Sequence, residues 1–215
     1  MSELDVGDFQ GKIGFDNKSG NLKLQAFSDS GIDNIERRKL MDKYVAFLRG
    51  INISGKNKIS MSDLRSGFEA LGFAEISTYL NSGNIVFSSE TDNTRPVIEK
   101  MILDKFDLEI PVYVIGMDEL KDILLHSPEW WDSGNKDKYD NLIFILSSDT
   151  SEEICALIGE PSEGFETVQV YKNVIFWTFD RKAYQKCSWW KKTAGAGVAD
   201  KLTIRTVNTI KKVCK

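Results

Sequence analysis

Histidine is almost missing from this 215-residue chain, which has only His126. A lone histidine removes most metal sites from consideration and leaves one candidate for a Ser/His/Asp arrangement. Cysteine is nearly as scarce. Cys155, Cys187 and Cys214 are odd in number and far apart, which fits neither a disulfide framework nor a zinc pattern and leaves reduced thiols. No metal or cofactor is therefore expected, and no catalytic residue can be named. No apolar run approaches the roughly 20 residues that a membrane span needs. The first residues carry neither the basic patch nor the apolar stretch of a secretory signal, so a cytoplasmic protein is expected. Extreme composition is absent too: 28% charged and 41% hydrophobic residues are ordinary for a globular chain.

Charge is present and unevenly placed. The net value is −4, yet from residue 181 to 215 ten basic residues face one acid, Asp200. That segment is +9 and the remainder −13. It also holds Tyr184, Trp189 and Trp190. Two readings are open: bases of a single-stranded nucleic acid stacking on aromatics in a cationic groove, or one tryptophan in the core with lysines fringing a helix.

The chain is organised around residues 44–58. Tyr44-Val-Ala-Phe-Leu48 reads as a strand, and it delivers Arg49, Asn52, Lys56, Asn57 and Lys58 into a loop punctuated by Gly50 and Gly55. A strand running into a glycine-spaced basic loop and then a helix is a common setting for anions. Gly50 to Lys56 fits the first seven positions of G-x-x-x-x-G-K, but the eighth is Asn57 rather than Ser or Thr. The best helix cap is Ser60, four residues beyond Lys56, so a looser anion-binding loop is expected in place of a nucleotide P-loop. The plainer alternative is that the glycines permit the turn and the lysines are solvated. Arg49, at the end of a half-buried strand, calls for a carboxylate or an anionic ligand.

Ser60-Met-Ser-Asp63 has capping-box form and opens a helix that Gly72 stops. Strands at 75–80 and 84–88 flank Asn81-Ser-Gly83, where Ser82 and Asn84 either serve the hairpin or let a ligand approach the backbone. Pro96 opens a second helix with a stripe of Val97, Met101, Ile102 and Phe106, and 110–115 is a strand. After a short helix at 118–126 and a turn-rich connector at 127–140, the order repeats: strand 142–146, helix 151–158, strand 166–171 and strand 174–179. Local matches support a duplication, with Gly83-Asn-Ile-Val-Phe87 beside Lys172-Asn-Val-Ile-Phe176. The expected fold is α+β, two ferredoxin-like halves of βαββαβ type. The halves are 41–126, with the basic loop at 49–58, and 127–215, with a basic helical tail. Residues 1–40 are read as an extension, either poorly ordered or forming an added hairpin.

Tyr44 to Lys58, followed by Met61-x-x-Leu64, Leu71-Gly-Phe73, Thr78-Tyr79 and Ser82-Gly-Asn-Ile-Val-Phe87, resembles the bacterial domain-of-unknown-function family 1697. The resemblance covers about 41–215 and is densest over 44–87. It implies two ferredoxin-like halves and carries no established activity. Near its C-terminus the family tends to have Thr-x-Arg-Asn-Trp-Asn-Thr. Here Thr203, Arg205, Asn208 and Thr209 are kept and the central Asn-Trp is replaced, which adds Arg205 to the candidate ligand residues by resemblance. The leading functional expectation is an anion-binding protein using the 49–58 loop. Its partner would be a phosphate-bearing small molecule or single-stranded nucleic acid, with no membrane. A homodimeric interaction protein, joined through strand edges or the Trp130-Trp131 connector, and an enzyme of unknown reaction using the same pocket are the alternatives.

Overall fold

Strand β1 (Asp42–Leu48) opens on exposed Asp42 and Lys43 and is then apolar without alternation, because both faces of Val45–Leu48 are covered. Ala46 and Leu48 point to one core, and Val45 and Phe47 point to another. The computed structural model describes residues 41–53 and 55–215, so the hairpin considered for 1–40 lies outside the described residues. From β1 the chain runs through α1 (Met61–Ala70), the hairpin β2 (Ala74–Tyr79) and β3 (Asn84–Ser89), then α2 (Arg95–Phe106) and β4 (Val112–Gly116). This βαββαβ order builds a four-stranded antiparallel sheet, β2-β3-β1-β4.

Helix α3 (Met117–Leu125) leads to the second half, where β5 (Lys138–Ile145), α4 (Ser151–Ile158), β6 (Glu166–Tyr171) and β7 (Val174–Asp180) follow. The short α5 (Ser188–Thr193) then precedes β8 (Leu202–Thr206) and α6 (Val207–Val213). The second sheet is β6-β7-β5-β8, again antiparallel and in the same order. The architecture is thus α+β with two topologically equivalent sheets. One correction concerns the tail. Leu202–Thr206 is not helical but the fourth strand, paired with β5 from Asn141–Thr206 to Ile145–Leu202.

Local chemistry sets the element ends. Ser60 Oγ accepts the Asp63 amide at 3.1 Å and starts α1, and Gly72 with φ +82° follows its end. Thr150 and Glu153 close a complete capping box on α4. In α2 the buried stripe is Ile98 and Ile102, while Val97 faces solvent, so the expected stripe is rotated by one residue at its start. Strand β5 begins at Lys138, inside the stretch read as connector, because Lys138 and Tyr139 pair with Asp180 and Phe179.

The layers follow from which faces are apolar. Helices α1 and α2 cover one face of the first sheet, and α4 and α5 cover the outer face of the second. Between the sheets, Val45, Phe47 and Ile115 meet Leu142, Phe144, Val174 and Phe176, with α3 and α6 adding Leu120, Ile123 and Ile210. Phe47 and Phe144, one from each sheet, stack at 4.8 Å. The halves share this core. Among the described residues, no helix is long and apolar enough to cross a membrane.

Candidate functional site

The chain leaves β1 into a loop held by its own asparagines. Asn52, at φ 55°, donates from Nδ2 to Ile59 O at 2.9 Å and to Asn81 O at 2.8 Å, while its Oδ1 accepts the Ile59 amide at 2.9 Å. Asn57, at φ 46°, donates to Gly50 O at 3.1 Å. Asparagine tolerates this left-handed backbone because its short amide bonds locally. The Asn52 and Lys56 amides donate to Asn57 O and Ile53 O. Those amides therefore serve loop carbonyls and are not presented as a phosphate cradle. Helix α1 begins five residues after Lys56, which separates this loop from a P-loop in geometry as well as in sequence.

The β2–β3 turn docks against the same loop. The Leu48 amide donates to Gly83 O at 2.8 Å. Gly83 sits at φ +75°, and a Cβ there would lie 2.7 Å from Leu48 Cβ and 3.0 Å from Ile51 Cδ1. Only glycine satisfies both the dihedral and the approach. Asn84 is fully buried and donates to Tyr79 O at 2.9 Å and Ser82 Oγ at 3.0 Å, so Ser82 and Asn84 shape the turn. Between loop and turn lies an open pocket of about 500 Å³, lined by Asn52, Gly55, Lys58, Ile59, Met61 and Asn81, with Ser60 at its edge. Lys56 and Lys58 are exposed and, among the described residues, pair with no carboxylate.

The two arginines of the candidate set serve the junction of the halves instead. Arg49 pairs with Asp200 at 3.0 Å, and that carboxylate side chain is 83% exposed. Arg205 reaches from β8 across Phe47, its guanidinium 5.3 Å from the ring, and donates to Leu48 O at 2.7 Å and Ile204 O at 3.1 Å. Its Nε is buried without a partner, and it has no carboxylate within ion-pair distance among the described residues. Burial without a counter-ion pushes its pKa down to about 10. Asp200, which holds Arg49, was not a sequence candidate. Its signal was its standing as the one acid of the basic segment.

That segment is partly partnered within the protein. Lys201 pairs with Asp149 at 2.6 Å, Lys211 with Asp132 at 2.8 Å and Lys182 with Asp137 at 3.0 Å, and Lys192 donates to Ile158 O. Trp189 is buried and Trp190 is exposed. His126 stacks on Tyr171 at 4.8 Å and lies 3.4 Å from the Asp122 carboxylate, which also takes Lys172 at 2.7 Å. This is a tie between α3 and the β6–β7 turn. Among the described residues, no group of three or more His, Cys, Asp or Glu could hold a metal ion.

Two matched antiparallel sheets around a shared core, with an asparagine-braced basic loop at the end of the first strand, define an α+β protein built of two halves. The family model described as a protein of unknown function, DUF1697, matches residues 41–176, and the chain belongs to that family. The structure of the conserved bacterial protein SP0830 from Streptococcus pneumoniae is similar, at TM-score 0.72 and 25% sequence identity, over 81% of this chain and 97% of that one. No curated protein matches the sequence. The family match ends within β7, so Thr203, Arg205, Asn208 and Thr209 lie beyond it.

Proposed function

We propose that this protein binds a phosphate-bearing ligand in the pocket between the 49–58 loop and the β2–β3 turn. The observation that carries this reading is that Lys58 lines an open pocket of about 500 Å³ and that, among the described residues, neither it nor Lys56 in the same loop has a carboxylate partner. Lysines 182, 201 and 211, by comparison, are each within 3.0 Å of a carboxylate. That volume is in the range of small-molecule sites. Because the Asn52 and Lys56 amides are already bonded within the loop, the ligand would be held chiefly by side chains, with Lys58 and Lys56 supplying charge and Asn52 and Asn81 keeping the floor rigid.

The test is a thermal-shift screen of nucleotides, sugar phosphates and short oligonucleotides against the full chain. A ligand at a hundredfold excess over its dissociation constant adds about 2.7 kcal/mol of stability. Replacing Lys56 and Lys58 together with Ala should leave the apo midpoint nearly unchanged, since exposed lysines contribute within about half a kcal/mol. It should weaken the sugar phosphates among the hits. Undiminished sugar-phosphate affinity in the double variant would refute the assignment.

A further inference from the structure

A second recess lies in the other half, at the end of β5 and β7. Its wall is Tyr139 from β5, Phe179 from β7, Arg181 just beyond β7, Tyr184 from a single-turn helix (Tyr184–Lys186) and Trp190 of α5. It holds about 310 Å³ and is lined by four rings and one guanidinium, with no carboxylate among the described residues. Phe179 forms a buried floor, while Trp190 and Tyr184 remain 42% and 37% exposed. The Trp190 ring is 5.3 Å from Phe179 and 5.2 Å from Tyr184, at interplanar angles of 58° and 72°. The first is a tilted contact and the second an edge contact, and neither covers the indole with a parallel ring. The indole N–H groups of Trp131, Trp177 and Trp189 all donate to protein acceptors. Those of Trp190 and Trp130 have no protein acceptor among the described residues, and only Trp190 lines this recess.

Arg181 supplies the second element. Its guanidinium rests 4.9 Å from the Tyr139 ring centroid, which fixes its direction, and no carboxylate neutralises it among the described residues. Arg181 and Tyr139 also line an adjoining polar recess with Lys136, Lys138, Asp132 and Asp140, where Asp132 is taken by Lys211. An aromatic recess therefore opens beside a polar one that carries both signs of charge, with Arg181 at the boundary between them. A cationic guest is disfavoured by Arg181 in the wall, and a purely aliphatic guest would leave that charge unused. The matching chemistry is a planar ring to lie on Trp190, joined to an anion within reach of Arg181.

We propose that this recess binds a nucleobase carrying a phosphate, either as a free nucleotide or as part of a single strand. The site is separate from the 49–58 loop and stands or falls independently of it.

The experiment titrates the full chain into fluorescein-labelled oligothymidine at low salt, read by anisotropy, with thymidine monophosphate as competitor. Binding should weaken about 5- to 150-fold in Trp190→Ala, the range measured when a stacked base loses its aromatic partner. Trp190→Phe should recover most of the loss. Arg181→Gln, an exposed change whose melting midpoint is measured alongside, should weaken binding and reduce the salt slope by about 0.7 for the phosphate it no longer neutralises. Competition by the monophosphate identifies a nucleotide site, and its absence with oligonucleotide binding intact identifies a strand site. Lack of binding at low salt, or affinity unchanged in both Trp190→Ala and Arg181→Gln, overturns the proposal. Lys56→Ala/Lys58→Ala serves as the cross-check: it should leave the Trp190-dependent binding in place, so a failure of either site is assigned to that site alone.

Discussion

Replacing Gly83 with alanine tests the packing of the β2–β3 turn against the strand that leads into the candidate loop. Two costs add. At φ +75° an alanine occupies the left-handed region at about 1–2 kcal/mol. Its Cβ would also fall 2.7 Å from Leu48 Cβ and 3.0 Å from Ile51 Cδ1, and both residues are buried at 1% exposure or less. Neither can swing into solvent, so the overpacking adds about 1–3 kcal/mol. The expected total of about 3 kcal/mol corresponds to a midpoint drop of roughly 10 °C for a domain of this size. Gly72→Ala is the control, because Gly72 has φ +82° with nothing within 4 Å of the added Cβ and should lose only the dihedral term. Thermal unfolding followed by circular dichroism reads both. Ile51→Val in the Gly83→Ala background removes the Cδ1 contact and should recover part of the loss, as a double-mutant cycle would report. Equal midpoints for Gly83→Ala and Gly72→Ala would show that the turn relaxes freely and that the close approach does not fix the loop.

Arg49→Ala should cost less than about 1 kcal/mol in urea unfolding, because Asp200 is a solvent-facing partner and such pairs contribute little. Arg205→Met should change stability by less than about 1.5 kcal/mol, since relief of an uncompensated buried charge offsets the lost bond to Leu48 O. A loss above about 3 kcal/mol would mean that the guanidinium is net stabilising where it lies. Burial raises the pKa of all three thiols, so alkylation by iodoacetamide at neutral pH should be slow, with fully buried Cys187 the slowest. The bonds from Lys201 and Ser147 hold the Asp149 carboxyl below its ordinary value of 3.8. Its stabilisation is complete above that value and fades as pH falls through the depressed one. Asp149→Asn should therefore lower the midpoint at neutral pH and flatten the acid limb between those limits, as a pH series of melts would show.

Much of the fold could be read where local signals agreed with tertiary demand. The run Tyr44–Leu48, the Ser60 cap, the Asn81-Ser-Gly83 turn and helix 151–158 each carry their own cause in neighbouring residues, and the structure has them there. Strand β8 was missed although Leu202-Thr-Ile-Arg-Thr206 alternates apolar and polar residues, because the run is short and lies among lysines that read as a helical tail. It is a strand only because β5, some 60 residues earlier in the chain, offers a free edge. The α2 stripe was misread by one residue because Val97 and Ile98 are equally apolar and only packing against the sheet selects Ile98. At the candidate site, Asn52 looked like a ligand contact, and its amide is in fact used to brace Ile59 and Asn81. A polar side chain in a glycine-spaced loop has the same signature for either use, since Asx residues serve loop backbones as readily as guests. The recess at Trp190 draws Tyr139, Phe179, Tyr184 and Trp190 from four elements, a convergence that sequence spacing does not encode.

The stacked pair Phe47 and Phe144 has a consequence for how such a chain can change over time. One ring belongs to each sheet, and they touch across the shared core at 4.8 Å. A close-packed interior transmits a change of volume to whatever lies opposite. A smaller residue at 47 opens a hole that 144 borders, and a larger one at 144 presses back on 47. However similar the two halves are in topology, they cannot drift as independent modules. Substitutions accepted at one of these positions restrict those acceptable at the other, so the inter-sheet faces are bound to vary in concert while the helix-covered outer faces are free to repack separately.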